Sequence, residues 1–320
     1  MHSFHERKGG VGASLQGHDG HAEIALHPRR LEDDVQPTTQ GGLMTVLESF
    51  IALDTLNLVA LLGVVFIGLP HGAMDGALAM HFGWTSRPAV ITLFLLSYVA
   101  LAGAVVLVWV LAPALTFIAF LAISIYHFGR GDASSVGHGR TTVESLARGG
   151  LVIGGISQLH RLEVDEIFQT LVGSDTSGVW LFLDGVVLIT IGCVVEAMLF
   201  KKPQERLAFA VELGVLFLLF LAVPPLVGFA FYFCFVHSIR HVSSVRNTMK
   251  TTVSNLSITK STAALSLITW GVGLAVLAQQ TSTMEVDSAL LRVVFIGLAA
   301  LTVPHMLLVD GLLHRRPTAA

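Results

Sequence analysis

Between residues 44 and 312 the chain is a succession of long apolar blocks, and that succession decides the fold class. The blocks lie near 44–69, 89–111, 113–128, 145–159, 179–200, 206–223, 225–240, 262–280 and 289–312. Apolar residues fill them continuously, with neither the alternation of a strand nor the single stripe of a surface helix. In lipid a segment of this length must satisfy its own backbone hydrogen bonds, and a helix does so internally. Charged residues make up only 13% of the 320 residues, too little to coat a water-soluble body; soluble domains carry roughly 25%. The 31 glycines suit close helix approach in lipid. The expectation is an all-α, polytopic integral membrane bundle of about eight to nine transmembrane or partly spanning helices, forming a single catalytic domain over 43–314. The short run 113–128 and the Gly-rich run 145–159 are its weakest members, and the latter reads as a half-helix or re-entrant piece.

Loop charge orients the bundle. Arg87, the group Arg130, Arg140 and Arg148, and the group Lys201, Lys202 and Arg206 follow the first, third and fifth blocks. Arg240, Arg246, Lys250 and Lys260 follow the seventh, and Arg315 and Arg316 the ninth. The loops between are acidic, with Glu163, Asp165, Glu166 and Asp175 in one and Glu285 and Asp287 in the other. If all nine blocks cross, every basic loop is cytoplasmic and the N-terminus is outside. That is a multi-pass protein of a cell membrane, the inner membrane in a bacterium. Residues 1–42 are polar and mixed in charge, without a signal-peptide pattern, and read as a flexible extension. Their histidines, His2, His5, His18, His21 and His27, have no regular spacing.

Other function classes fall away on composition. A net charge of -3 without a basic patch excludes nucleic acid as a partner. Cys193 and Cys234 lie singly inside apolar blocks, as small hydrophobes do, so thiol redox and covalent haem attachment are not indicated.

Histidines are the exception to the apolar rule. FIGLPHGAMDG (66–76) carries His71 and Asp75, YHFGRGD carries Tyr126 and His127, FCFVHSIRH carries His237 and His241, and VPHMLLVDG carries His305 and Asp310. A buried imidazole needs a hydrogen bond, a carboxylate or a metal. His71, His127, His237 and His305 fall toward the same ends of four blocks that run in the same direction, so four helices deliver a histidine to similar depth. His237 and His241 are four apart and share a helix face. Asp75, one turn past His71, is placed to orient its imidazole. His305 reads as a polar wall of the site or a hydrogen-bond donor to oxygen. His81, His138, His160 and His314 fall at block ends or in loops, as surface residues. Asp54 is an intramembrane carboxylate of open use.

Neutral imidazoles suit zinc, copper, iron or nickel. Zinc held by four of them would have no open position for chemistry, whereas iron would retain room for oxygen. A ferrous all-histidine site in an apolar helical cavity points to oxidation of a membrane-dissolved molecule. The same residues also admit a haem-linked electron carrier, a metal- or proton-coupled transporter, or a membrane chaperone with structural histidines. An intramembrane metalloprotease lacks its HExxH.

GLPHGAMD, YHFG, HSIRH and VPHMLLVD, in this order over about 44–312, resemble the Brp/Blh family of beta-carotene 15,15'-dioxygenases. The resemblance implies a helical membrane enzyme that cleaves beta-carotene at its central double bond with O2. The products would be two molecules of all-trans-retinal, passed to a rhodopsin as chromophore. It implies Fe(2+) as cofactor, held by the catalytic residues His71, His127, His237 and His241. Around that site Asp75, His305, Asp310 and Tyr126 are expected as neighbours of the ligands or of the cavity. Phe66, Met74, Phe82 and Phe128, with Phe231, Phe235, Phe295 and Met306, are candidate walls of an apolar substrate tunnel.

Overall fold

A computed structural model describes residues 55–132 and 138–313. The N-terminal extension, Asp54, His314 and the side chain of His138 lie outside the described residues. Everything described is helix and turn. We number the helices α1 (Thr55–His81), α2 (Pro88–Leu111), α3 (Pro113–Asp132), α4 (138–159), α5 (Arg161–Val172), α6 (Ser177–Phe200), α7 (Pro203–Ala222), α8 (Pro225–Met249), α9 (Asn255–Gln280) and α10 (Val286–Leu312).

Seven of these are long and apolar enough to cross a membrane: α1, α2, α3, α6, α8, α9 and α10. The expected eight to nine transmembrane or partly spanning helices included two more. Of the three that fall short, α4 and α7 pack among the seven but carry charge. Arg148 of α4 pairs with Glu144 (3.0 Å) and with Glu212 of α7 (2.6 Å), and Lys201 reaches Glu144 (2.5 Å). The run 145–159 belongs to one continuous helix over 138–159. The acidic segment after it, expected as a loop, contains α5. Asp165 of α5 accepts hydrogen bonds from Thr176 Oγ1 and Trp180 Nε1, both at 2.6 Å, which docks α5 against the start of α6. Those bonds hold the Asp165 carboxyl below its ordinary range.

Lipid-like exposure is concentrated on α2 and α9, both of which pack on α10. Leu93, Leu96, Val110 and Leu274 all stand outward on this pair. Of the seven, α1, α3, α8 and α10 are the most buried, and these four carry the singled-out histidines. These helices also run further than the apolar blocks suggested: α1 ends at His81, α3 at Asp132 and α8 at Met249. Past His241 the helix buries Val245 and Met249 on one face and exposes Ser243, Ser244 and Arg246 on the other, so it continues beyond the apolar block.

Gly129 lies within α3. It is where α3 and α4 touch: a Cβ at Gly129 would collide with the backbone of Ser145, and one at Gly149 with the backbone of Ile125. Such reciprocal approach needs residues without side chains. Gly129→Ala should therefore destabilise the protein by about 1–3 kcal/mol, the range for overpacking, seen as a lower midpoint of thermal unfolding in detergent. Gly103→Ala, where a Cβ meets open space, should leave the midpoint unchanged. Equal midpoints for the two variants would contradict the packing described.

Candidate metal centre

Regular α pitch fails next to the histidines on three of the four helices. In α1 a wide π-type turn, Val64–Gly68, is followed by a tight 3-10 stretch, Leu69–Met74, that contains His71. Pro70 lacks the N–H that an α-helical bond would use there. In α8 the π-type turn Tyr232–His237 ends on His237, and ordinary helix resumes at Ser238. In α10 Pro304 lies inside the helix and the π-type stretch Leu307–Leu313 carries Asp310. Each irregularity changes the angular position of the side chains that follow it. His127 sits in regular helix on α3.

The result is one cluster. His71, His127, His237, His241 and His305 are all buried, with relative exposures from 1% at His237 to 8% at His241. Ring centroids are 5.4 Å apart for His71 and His237, 5.0 Å for His127 and His237, and 5.2 Å for His71 and His241. His305 closes the group, 4.9 Å from His241, 5.3 Å from His127 and 5.5 Å from His71. One ring nitrogen each from His71, His127 and His237 lies within 4.8 Å of the others, a spacing that one metal ion can bridge.

Hydrogen bonds set how the rings face. His127 Nδ1 lies 3.2 Å from Asp310, and His305 Nδ1 lies 2.9 Å from Asp75. Tyr98 donates its hydroxyl to the other oxygen of Asp75 at 2.9 Å. His71 Nδ1 faces the Gly68 carbonyl and the Ser238 hydroxyl. Nδ1–H donates in each case, which leaves a lone pair on Nε2. This is the way histidine ligands are oriented around metals. The Nε2 atoms of His127, His241 and His305, and both ring nitrogens of His237, are buried without a hydrogen-bond partner. Leaving such a group unmade costs about 1–3 kcal/mol, and several together define a site that a metal ion would satisfy. Neutral imidazoles are the donor set for zinc, copper, iron or nickel, so the residues fit a transition metal.

One carboxylate departs from expectation. Asp75 serves His305, not His71, and Asp310 serves His127 across the cluster. The cause is the 3-10 stretch. At three residues per turn, a residue four further on lies about 120° round the axis, instead of about 40° in an α-helix. Tyr126 is 39% exposed and stands under the Arg130 guanidinium, outside the cluster. Tyr98 and Ser238 were not singled out in the sequence; a lone polar residue within an apolar run was the available signal.

A charged network beside the cluster was also hidden, because Asp132 and Arg240 read as loop residues. Tyr232 donates to Asp132 at 2.7 Å, and Arg240 spans Asp132 (3.3 Å) and Glu212 (2.8 Å). Tyr232 and Arg240 flank His237 on α8, so the network pins the register of that helix against α3 and α7.

Against the cluster lies an apolar cavity of about 200 Å³ whose floor includes His71, His127 and His305. Leu95 and Val99 of α2 and Ile268 of α9 line it and are exposed, so its mouth faces the lipid side between those helices. Of the expected tunnel residues Phe128 lines this cavity. Phe295 lines a second, smaller one. Phe66, Phe231 and Phe235 are exposed on the outside of the bundle. Met74 is buried in another apolar cluster, with Phe82 packed against it beside Trp84. Met306 is half-buried. Leu95, Val99, Ile268 and Phe229 stand where those side chains were expected.

The family model described as beta-carotene 15,15'-dioxygenase matches residues 62–313. The chain belongs to this family. It is 37% identical over 261 residues to "Beta-carotene 15,15'-dioxygenase" of an uncultured marine bacterium, covering 81% of this chain and 94% of that protein. It is 27% identical over 289 residues to "Probable beta-carotene 15,15'-dioxygenase Blh" of Halobacterium salinarum, covering 77% of this chain and 81% of that one. No solved structure matches. The chain is thus a multi-pass membrane oxidoreductase of the dioxygenase class, with a histidine cluster able to hold a metal.

Asp310→Asn and Asp75→Asn should each weaken metal binding about 10- to 100-fold, read as metal retained by the purified protein during titration with a chelator. Tyr126→Phe should retain as much metal as the unaltered chain. Unchanged retention in both aspartate variants would contradict the orientation described.

Proposed function

We propose that this dioxygenase cleaves beta-carotene at its central 15,15' double bond with O2 and releases two molecules of all-trans-retinal. Fe(2+) is the metal, held by His71, His127, His237 and His241. The observation that carries the reading is the meeting of unpartnered imidazole nitrogens with an apolar cavity whose mouth faces lipid. The substrate has no polar group to bind, so shape and depth must place it. Both relatives carry beta-carotene in their names, and a polyene about 30 Å long matches the hydrocarbon core it would dissolve in.

Iron, when bound, supplies the activation of O2 that no side chain here offers. The chain's own residues do the rest. Asp310 and Asp75 keep the His127 and His305 rings turned inward. Phe94, Phe229, Phe233 and Leu298 line the cavity and keep water out. His305 gives its Nδ1–H to Asp75. Its Nε2 therefore presents a lone pair to the cluster, which suits a fifth imidazole on the metal better than a hydrogen-bond donor to oxygen. Entry and exit run through the mouth between α2 and α9, from which retinal passes into the bilayer toward a rhodopsin. Counted with α4 and α7 the bundle has nine crossings and places its N-terminus outside, in the inner membrane of a bacterium.

Expression in cells that accumulate beta-carotene tests this. The unaltered chain should bleach the cells and yield retinal by chromatography, while His71→Ala and His237→Ala should yield none. Aldehydes of unequal length from the unaltered chain would move the cut off centre. Retinal from both histidine variants at the unaltered level would overturn the assignment.

A further inference from the structure

A second apolar cavity, of about 70 Å³, follows α3 away from the histidines. Its α3 wall runs from Phe128, beside His127, to Phe117. Those twelve residues span about 16 Å of helix. Val164, Ile167 and Phe168 of α5 close its far end, with Pro225 and Leu226 at the start of α8. No polar atom is exposed in it, and the Ser157 hydroxyl at its edge is turned back onto the Ile153 carbonyl at 2.7 Å.

This cavity adjoins the one over the histidines. Phe120, Ser124, Phe128 and Phe229 line both. The partition between them is therefore one layer of side chains. Ser124 is its only small member, 3% exposed and about one helical turn from His127. The rings of Phe128 and Phe229 stand 6.4 Å apart across the same neck.

We propose that the second cavity receives one half of a long, rigid apolar polyene, threaded past Ser124, while the other half lies in the lipid-facing cavity. The proposal rests on the carotenoid reading above and deepens it. A molecule cut in its middle must extend by equal lengths on both sides of the reacting bond. Half of a substrate about 30 Å long is close to the 16 Å or so of α3 that walls the cavity. The closed end at α5 then acts as a stop. It sets how far the polyene advances, and so which double bond comes to rest beside His127. Ser124 is the neck through which the chain passes, and Ile167 part of the stop. Both are positioning residues, since neither is among the groups facing the metal.

The test uses the full chain, loaded with metal and reconstituted with beta-carotene. Ser124→Phe should close the neck. Retinal formation should fall about 100-fold or more, the cost of a misplaced reacting bond. Carotenoid retained on the purified protein should fall with it, while metal content and thermal midpoint hold. Ile167→Trp shortens the cavity and should either shift the cut, giving aldehydes of unequal length, or raise KM at least tenfold. Should Ser124→Phe fail to fold, Ile167→Trp decides alone. Central cleavage with unchanged KM in Ile167→Trp, or unchanged retinal yield in a folded Ser124→Phe, would overturn the proposal. An unaltered chain that forms no retinal would defeat the carotenoid reading instead.

Discussion

An imidazole nitrogen without a partner, deep in an apolar bundle, is the interaction on which this structure turns. Four of the clustered histidines place such atoms in one small volume. Water is expensive to bring there and no side chain reaches them. A metal ion taking one nitrogen from each of several rings would relieve this cost, which would link the stability of the bundle centre to its chemistry. The carboxylates Asp75 and Asp310 make the arrangement specific, because each fixes the face a ring presents.

Helix irregularity is the means by which distant segments meet that requirement. A straight α-helix repeats its faces every few residues and would point some of these histidines toward lipid. The π-type and 3-10 turns in α1, α8 and α10 rotate the chain locally where His71, His237 and Asp310 occur. The close contact at Gly129 and Gly149 then draws α4 onto α3 and helps hold His127 in place. The ion network through Asp132, Arg240 and Glu212 does the same for α8. Packing, charge and pitch thus act on one small set of rings.

Much of this was legible in the amino-acid order. Long apolar blocks announced the helical membrane class, and histidines at matching depths announced a common site; His71, His127, His237 and His241 do lie together. What could not be read were properties that depend on local pitch and on neighbours far along the chain. Asp75 was assigned to His71 because four residues make roughly one α turn, but the helix there is not α. Arg148 and Arg240 looked like ordinary basic loop residues, since nothing in the order of residues places Glu212 beside them. Phe66, Phe231 and Phe235 looked like tunnel walls because aromatic residues near a site suggest one. Which face of a uniformly apolar helix turns inward is decided by packing, and these three face outward.

X-ray absorption at the metal edge of the purified, loaded protein tests the central claim most directly. The account predicts iron as the bound metal, with a nitrogen shell and the multiple scattering of several imidazole rings. A shell of sulfur or of oxygen without imidazole scattering, or a haem signature, would contradict it.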